Sequence, residues 1–148
     1  MKKCQDIMTQ NPECCLASDK VYVIAQRMQN EDIGALPVVE NHKTRKLIGI
    51  ITDRDLAVRV VGASRDATNT QVRDVMTPNP VACHPADDLE ATLEVMASHQ
   101  IRRIPVVDEH GQVVGIIAQA DVAMRLDNHD KVGQMVDEIS QPDSVPAR

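Results

Sequence analysis

The residues best suited to chemistry lie in one seven-residue stretch and in an altered copy of it. The stretch is Gly49-Ile50-Ile51-Thr52-Asp53-Arg54-Asp55, and the copy is Gly115-Ile116-Ile117-Ala118-Gln119-Ala120-Asp121. Each reads as the end of a buried aliphatic strand that turns directly into a helix. Free N–H groups at a helix start suit an anionic ligand. A carboxylate one turn further on, Asp55 or Asp121, can accept hydrogen bonds from a ribose diol.

The same residues also fit a purely structural role. Thr52 and Asp55 have the spacing of a capping box, in which a hydroxyl and a carboxylate satisfy free N–H groups at a helix start. Ala118 stands at the position equivalent to Thr52 and cannot cap, although Asp121 is retained. Helix capping and ligand binding therefore both stay open, and one carboxylate can serve both.

Composition bounds the class of protein. The chain has 148 residues, of which 43% are hydrophobic, but it has no Phe, no Trp and only one Tyr, at position 22. A net charge of -6 and the lack of aromatic platforms argue against nucleic-acid binding. No apolar run is long enough for a membrane span, and no apolar signal core follows Lys2 and Lys3. We expect a soluble cytoplasmic protein.

Catalytic and metal-ligating patterns are missing from the sequence. It contains no nucleophile–base pair, phosphate loop or His-Glu-x-x-His spacing, so neither an enzyme nor a metal protein is predicted. The four cysteines, at positions 4, 14, 15 and 83, form no Cys-x-x-Cys pair and are expected to be reduced, small core residues. A redox role for Cys14, Cys15 and Cys83 stays open as an alternative.

An internal repeat organises the chain. The segment Asp6-Ile7-Met8-Thr9-Gln10-Asn11-Pro12 recurs 68 residues later as Asp74-Val75-Met76-Thr77-Pro78-Asn79-Pro80. Leu36-Pro37-Val38-Val39 recurs at the same offset as Ile104-Pro105-Val106-Val107. We therefore predict a first repeat over 1–62, a linker over 63–71, a second repeat over 72–127, and a C-terminal helix and tail over 128–148.

Each repeat is predicted to have the order β-α-β-β-α, which gives an α+β fold. Strands are expected over 47–51 and 113–117, closing helices over 53–61 and 119–126, and a further helix over 130–140. The spacing of Asp87 and Glu90 predicts a capping box for the amphipathic helix of the second repeat. The apolar faces of the two amphipathic helices are assigned to Val21, Ile24, Ala25 and Met28, and to Leu89, Leu93, Met96 and Ala97. Small halves of this kind favour packing through their sheets about a pseudo-twofold axis and association into a homodimer.

These motifs resemble the CBS domain family, and residues 4–126 look like a tandem CBS pair (a Bateman module). The resemblance rests on two Met-Thr-x-x-Pro segments, two (Leu/Ile)-Pro-Val-Val strands and the duplicated Gly-Ile-Ile motif. It extends to small stand-alone bacterial two-CBS proteins of the hypoxic response type. The family implies clefts that bind AMP, ADP or ATP, and less often S-adenosylmethionine or NAD.

The resemblance also implies roles for particular residues. One cleft would use Asp55 and Thr52 for ribose or phosphate and Ile50 against the base, with Arg54 nearby. The other would use Asp121 and Ile116 in the same roles. The opposite repeat would complete each cleft. It would supply Val81 and Ile101 to the cleft of Asp55, and Asn11, Cys14, Ile33 and Gly34 to the cleft of Asp121. Arg102 and Arg103 would bind phosphate.

Two departures from the family pattern make the two clefts different from each other. Ala118 removes a hydroxyl from the second cleft, and Gly34-Ala35 replace the equivalent of Arg102-Arg103 in the first. The arginines could instead be strand-edge charges, and Arg54 a solvated helix residue. The resemblance implies a non-catalytic energy or stress sensor that requires no cofactor. The alternative is a ligand-free homodimeric interaction module that regulates an unidentified partner protein.

Overall fold

The computed structural model describes residues 1–125, which fall into two compact units. One unit is continuous and comprises residues 12–80; we call it the continuous unit. The other combines residues 1–11 with residues 81–125, and we call it the split unit. The predicted helix at 130–140 and the tail that follows it lie outside the described residues.

The elements alternate as the β-α-β-β-α pattern predicts, with one additional short helix before each Met-Thr segment. In chain order they are α1 (Cys4–Ile7), β1 (Thr9–Gln10), β2 (Cys15–Leu16), α2 (Val21–Glu31), β3 (Ala35–Val39), β4 (Leu47–Thr52), α3 (Asp53–Asp55) continued by a π-helix (Leu56–Val61), α4 (Val72–Val75), β5 (Thr77–Pro78), α5 (Leu89–His99), β6 (Arg103–Val107), β7 (Val113–Ala118) and α6 (Gln119–Arg125).

Each unit contains one sheet built on an antiparallel hairpin. In the continuous unit the strand order is β2-β3-β4-β5, where β2 lies parallel to β3 and β5 antiparallel to β4. In the split unit the order is β1-β7-β6, where β1 is antiparallel to β7. An isolated parallel bridge from Cys83 to Val106 takes the place that β2 has in the other sheet.

The compact units are not the sequence repeats. Thr9, from the start of the first repeat, pairs with Ile116 of the second, and Thr77, from the start of the second, pairs with Ile50 of the first. The two Met-Thr segments thus change places, and each adds an edge strand to the hairpin of the other repeat. The predicted boundaries at 1–62 and 72–127 divide the sequence, whereas the packing divides the chain at residues 11 and 80.

The cores are aliphatic, and the helices bury nearly the predicted faces. Val21, Ile24 and Met28 of α2 are buried, as are Leu89, Leu93 and Met96 of α5. Ala25 was assigned to the buried face of α2 but is exposed. Its position, about 70° from the centre of the stripe formed by the other three residues, places it on the flank of the helix.

Two local predictions are wrong in detail. The cap of α5 is Asp88, whose carboxylate accepts a hydrogen bond from Ala91 N–H at 3.1 Å, while Asp87 accepts from His84 N–H. The cap was therefore predicted one residue early, since adjacent acids offer the same local signal. No capping box forms, because Ala91 has no side-chain acceptor to complete it. Residues 56–61 form a π-helix, in which Gly62 N–H bonds to Ala57 O. Hydrophobic spacing does not distinguish that register from an α-helix over a single turn.

Candidate functional site

In the continuous unit, the strand-to-helix junction is the predicted capping box. Asp55 N–H donates to Thr52 Oγ1 at 3.2 Å, and Thr52 N–H donates to Asp55 Oδ2 at 2.9 Å. The reciprocal bonds satisfy two free N–H groups where β4 becomes α3. The side chain of Asp55 is only 12% exposed. The structural role considered for these two residues is thus confirmed.

Asp55 has a second partner in Arg59. The Arg59 Nε lies 3.8 Å from Asp55 Oδ1, and its Nη1 donates to Val75 O at 3.1 Å. The arginine therefore joins the junction to the last residue of α4, the helix that precedes the exchanged β5 strand. A cation at a helix C-terminus also interacts favourably with the helix dipole.

The junction of the split unit is built differently. Ala118 supplies no cap, and Asp121 Oδ2 instead accepts a hydrogen bond of 3.4 Å from the Thr9 hydroxyl of the exchanged β1 strand. Arg125 Nη1 donates to Ile7 O, which repeats the contact of Arg59 with Val75. Among the described residues, the carboxylate of Asp121 takes part in no capping box. It is accordingly less engaged than that of Asp55.

Thr9 and the two arginines are site residues that the sequence reasoning missed. Arg59 follows Asp55 by four residues and Arg125 follows Asp121 by four, so this duplicated spacing was available as a signal. In the sequence, Thr9 stands out only as part of the repeated Met-Thr segment. Its contact with Asp121 depends on the exchange of the segments between repeats, which the repeat itself does not show.

The repeated Asn-Pro pairs end the exchanged strands. Asn11 and Asn79 have φ values of 48° and 47°, in the left-handed region that asparagine enters more readily than most residues. Their N–H groups donate to Val114 O and Ile48 O, each at the end of the pairing of a Met-Thr segment with its hairpin. The asparagines therefore fix where each segment leaves its sheet.

Arg102 lies beside the junction of the split unit. Its Nη1 donates to Gln119 Oε1 at 3.2 Å, and its backbone oxygen accepts from Gln119 N–H at 2.8 Å. The Nη2 atom is buried, and it has no hydrogen-bond partner among the described residues. Arg103 begins β6 and is half-buried. Gly34, at the equivalent of Arg102, contributes only its backbone oxygen, which accepts from Asp53 N–H.

The predicted site residues divide between the two units. Ile50, Thr52 and Asp55 lie together on β4 and α3, while Arg54 is exposed. Asn11, Ile116 and Asp121 lie together in the split unit with Thr9. The remaining assignments join residues of different units and stay predictions: Val81 and Ile101 for Asp55, and Cys14, Ile33 and Gly34 for Asp121.

Two cavities of the split unit lie away from these carboxylates. An open groove of about 560 Å³ is lined by Gln10 and Asn11 of the exchanged segment and by Val114. Because successive strand residues face opposite sides, Gln10 lines this groove while Thr9 contacts Asp121. A second cavity of about 250 Å³ is lined by Cys83 and Thr92. Neither cavity is lined by Asp55 or Asp121.

Two further properties concern residues 1–125 only. Within that range no helix is long and apolar enough to cross a bilayer. The same residues contain no group of three or more His, Cys, Asp or Glu side chains that could hold a metal ion.

The duplicated β-α-β-β-α fold, with an acid after each Gly-Ile-Ile strand, defines a tandem pair of CBS domains. The CBS domain family model matches residues 4–62 and 72–128, and the chain belongs to this family. It is 32% identical to Hypoxic response protein 1 of Mycobacterium tuberculosis, over 96% of each chain. The resemblance to stand-alone CBS pairs of the hypoxic response type is confirmed.

Solved structures show the same fold. A crystal structure of Hypoxic Response Protein I with two coordinated zinc ions has a TM-score of 0.74 at 31% identity, covering 84% of this chain and 99% of that one. CBSX2 in complex with AMP has a TM-score of 0.71 at 25% identity, covering 82% and 93%. The CBS pair of MJ0100, in complex with 5′-methylthioadenosine and S-adenosyl-L-methionine, has a TM-score of 0.75 at 26% identity, covering 83% and 94%.

Proposed function

We propose that this CBS pair is a non-catalytic regulatory module that binds an adenine nucleotide of the AMP, ADP or ATP type. The observation that carries the proposal is the Asp121 carboxylate. It lies beside the exchanged β1 strand and accepts one long hydrogen bond, from the Thr9 hydroxyl. Similar CBS pairs bind AMP, or S-adenosylmethionine and methylthioadenosine, all of which contain adenosine. S-Adenosylmethionine and NAD are less favoured ligands for this chain.

Asp121 is the better ribose acceptor of the two junction acids. Asp55 already accepts from Thr52 N–H and faces Arg59, so a ribose would have to compete with both groups. Among the described residues, the 3.4 Å hydrogen bond from Thr9 is the only one that a ribose hydroxyl would have to replace at Asp121. Hydrogen bonds to a charged acceptor contribute about 1.5–3 kcal/mol each. We therefore expect the tighter binding at Asp121.

Arg102 supports the phosphate part of the proposal. Gln119 holds one nitrogen of its guanidinium, while Nη2 is buried without a hydrogen-bond partner in the described part of the chain. A buried donor that lacks a partner is costly, and a phosphate oxygen would satisfy it. Ile116, partly buried on β7 beside Thr9, offers an apolar surface for the adenine base.

Calorimetric titration with AMP, ADP, ATP and S-adenosylmethionine tests the proposal. Asp121→Asn should weaken binding by roughly 10- to 100-fold, because a neutral amide replaces a charged acceptor. Asp55→Asn should have the smaller effect. Asp74→Asn is the matched control, since Asp74 is exposed and its carboxylate accepts from Gln71 N–H at the start of α4. The absence of heat with all four ligands would contradict the proposal, as would equal losses in the control.

Such binding would make the protein an energy or stress sensor. A nucleotide that binds one arrangement of the chain more tightly shifts the population toward it, and a regulated partner reads that population. The name of the hypoxic response relative favours a stress-related signal. The partner protein would then respond to the nucleotide through this module, in the cytoplasm.

A second candidate function is a homodimeric interaction module that acts without a ligand. Val61 of the π-helix is 76% exposed and Val58 is 55% exposed, while Met124 of α6 is 84% exposed. Apolar side chains exposed on the equivalent helix of each repeat favour a docking surface.

Light scattering after size-exclusion chromatography tests the homodimer. Val61→Glu should shift a dimer toward monomer, because it places a charge in an apolar interface. Val23→Glu on α2, where Val23 is 37% exposed, serves as the control and should leave the mass unchanged. A wild-type protein that is monomeric at every concentration would contradict this candidate.

A further inference from the structure

Two cysteines from distant parts of the sequence meet in the core of the split unit. Cys4 of α1 is fully buried and Cys83 is 4% exposed, and both belong to the same hydrophobic cluster. The Cys4 sulfur lies 3.2 Å from the Thr92 hydroxyl oxygen. Thr92 and Cys83 line the same small cavity, so the two thiols adjoin around Thr92. Both cysteines are free thiols.

The backbone holds both cysteines firmly in place. Cys4 N–H donates to Asp87 O at 3.0 Å, and Leu89 N–H donates to Lys2 O at 3.0 Å. Cys83 N–H donates to Pro105 O, and its own carbonyl accepts from Val107 N–H at 2.8 Å. The backbone positions of both cysteines are therefore fixed by hydrogen bonds to neighbouring segments of the split unit.

The surroundings give the two thiols different acidities. Hydrogen bonding with the Cys83 thiol and with the Thr92 hydroxyl lowers the pKa of Cys4, although burial and the charges of Asp87 and Asp88 act in the opposite direction. The same hydrogen bond and burial raise the pKa of Cys83. The hydrogen bonding within the pair favours the thiolate form of one sulfur, which is the form that reacts with an oxidant.

A small oxidant has a place to enter. The cavity of about 250 Å³ is lined by Cys83, by Thr92 and by the side of α5. Cys4 does not line it but lies directly behind Thr92, whose hydroxyl its sulfur contacts. The cavity is large enough for hydrogen peroxide. A tripeptide disulfide such as oxidised glutathione is too large for this cavity.

We propose that Cys4 and Cys83 are a peroxide-sensitive pair whose reversible disulfide fastens residues 1–11 to the rest of the split unit. The Cys4 thiolate attacks one peroxide oxygen and the O–O bond breaks, which leaves a sulfenic acid on Cys4 and releases hydroxide. The Cys83 thiol then displaces the sulfenic hydroxyl as water, and the S–S bond forms. In sum, two thiols are oxidised by two electrons and one peroxide is reduced to two waters. A dithiol reductant reverses the step.

Cys14 and Cys15 are less suited to a redox role than Cys4 and Cys83. Cys14 and Cys15 were candidates by sequence, but burial raises the pKa of both, and that of Cys15 to about 12. Cys14 also contacts Arg45 and the Pro12 carbonyl rather than a second thiol. These two cysteines are therefore an internal control for reactivity within the same chain.

The disulfide would act on the candidate nucleotide site without entering it. It would hold α1, and with it the following β1 strand whose Thr9 contacts Asp121, against β7. It would close a loop of about 80 residues, which predicts that oxidation raises the melting temperature by about 10 °C. This inference stands even if no nucleotide binds.

Intact mass spectrometry of the wild-type protein is the test. Hydrogen peroxide under native conditions should make the chain lighter by two hydrogens, and reductant should restore the mass. Digestion with trypsin and a glutamate-specific protease should then yield one linked pair of peptides, because cleavage after Glu13 separates Cys4 from Cys14 and Cys15. Oxidised glutathione at the same concentration should react far more slowly.

The outcomes are distinguishable. Linked peptides that contain Cys4 and Cys83, with Cys14 and Cys15 still open to alkylation, would support the proposal. Retention of both thiols after peroxide treatment, a sulfinic acid on Cys4 without a link, or a link through Cys14 or Cys15 would overturn it. Cys83→Ser should abolish the linked pair and the rise in melting temperature, but the wild-type measurement decides even if that variant folds poorly.

Discussion

Ile7→Ala is expected to lower the free energy of unfolding by about 2–5 kcal/mol and to loosen strands of the second sequence repeat rather than the first. Ile7 is 1% exposed and lies in the core of the split unit with Ile104 and Ile117. Removing its side chain leaves a cavity under β7. A fold in which each repeat keeps its own Met-Thr segment would instead place the damage under β4.

Denaturant titration measures the loss, and hydrogen exchange locates it. Amide exchange should rise in residues 113–118 of β7 and stay close to the wild-type rate in residues 47–52 of β4. Val75→Ala is the mirror experiment, because Val75 is the equivalent residue of α4 and is buried in the continuous unit. It should expose β4 and leave β7 protected. The reverse assignment would disprove the exchange of segments.

Gly115→Ala should also destabilise the protein, by about 1–3 kcal/mol, because it overfills a tight contact. A Cβ at Gly115 would lie 2.9 Å from Met8 Cγ and 3.1 Å from Thr9 O, and closer still to Met8 Sδ. The exchanged segment would have to move away from β7. Gly49 has the same relation to the other copy, where a Cβ would lie 2.7 Å from Met76 Sδ and 3.0 Å from Thr77 O.

A double-mutant cycle separates this clash from a general loss of strand stability. If Met8 is the obstacle, Gly115→Ala combined with Met8→Ala should cost less than the sum of the two single changes. Gly115→Ala combined with Met76→Ala is the control pair and should be additive, since Met76 lies against Gly49. Additivity in both pairs would contradict the steric explanation. The presence of glycine at positions 49 and 115 would then require another explanation.

The local features of the fold were largely predictable. The hairpins, the amphipathic helices and the Thr52–Asp55 capping box all follow from hydrophobic period and cap chemistry, which are properties of neighbouring residues. Choices between neighbours were less certain, as the cap at Asp88 rather than Asp87 shows. Its environment, and not its residue type, decides which acid meets Ala91 N–H.

The exchange of the Met-Thr segments could not be predicted, because the repeats are alike. Residues 6–12 and 74–80 have closely similar sequences, and each is compatible with either hairpin edge. The choice depends on chain connection and packing over long separations. The contacts of Thr9 with Asp121 and of Arg59 with Val75 follow from that choice. The two acids, and Asn11 for the cleft of Asp121, were therefore among the predicted residues, whereas Thr9, Arg59 and Arg125 were not.

The split unit imposes an order on how the molecule can be made. During synthesis, residues 12–80 can complete their sheet as soon as they have left the ribosome, because all of its strands lie within that stretch. Residues 1–11 emerge earlier but have to wait for a partner strand more than a hundred positions downstream, where Gln10 meets Gly115. Pairing over so long a separation is slow. The exposed apolar face of α1 would meanwhile be a target for chaperones or for the same segment of a neighbouring chain.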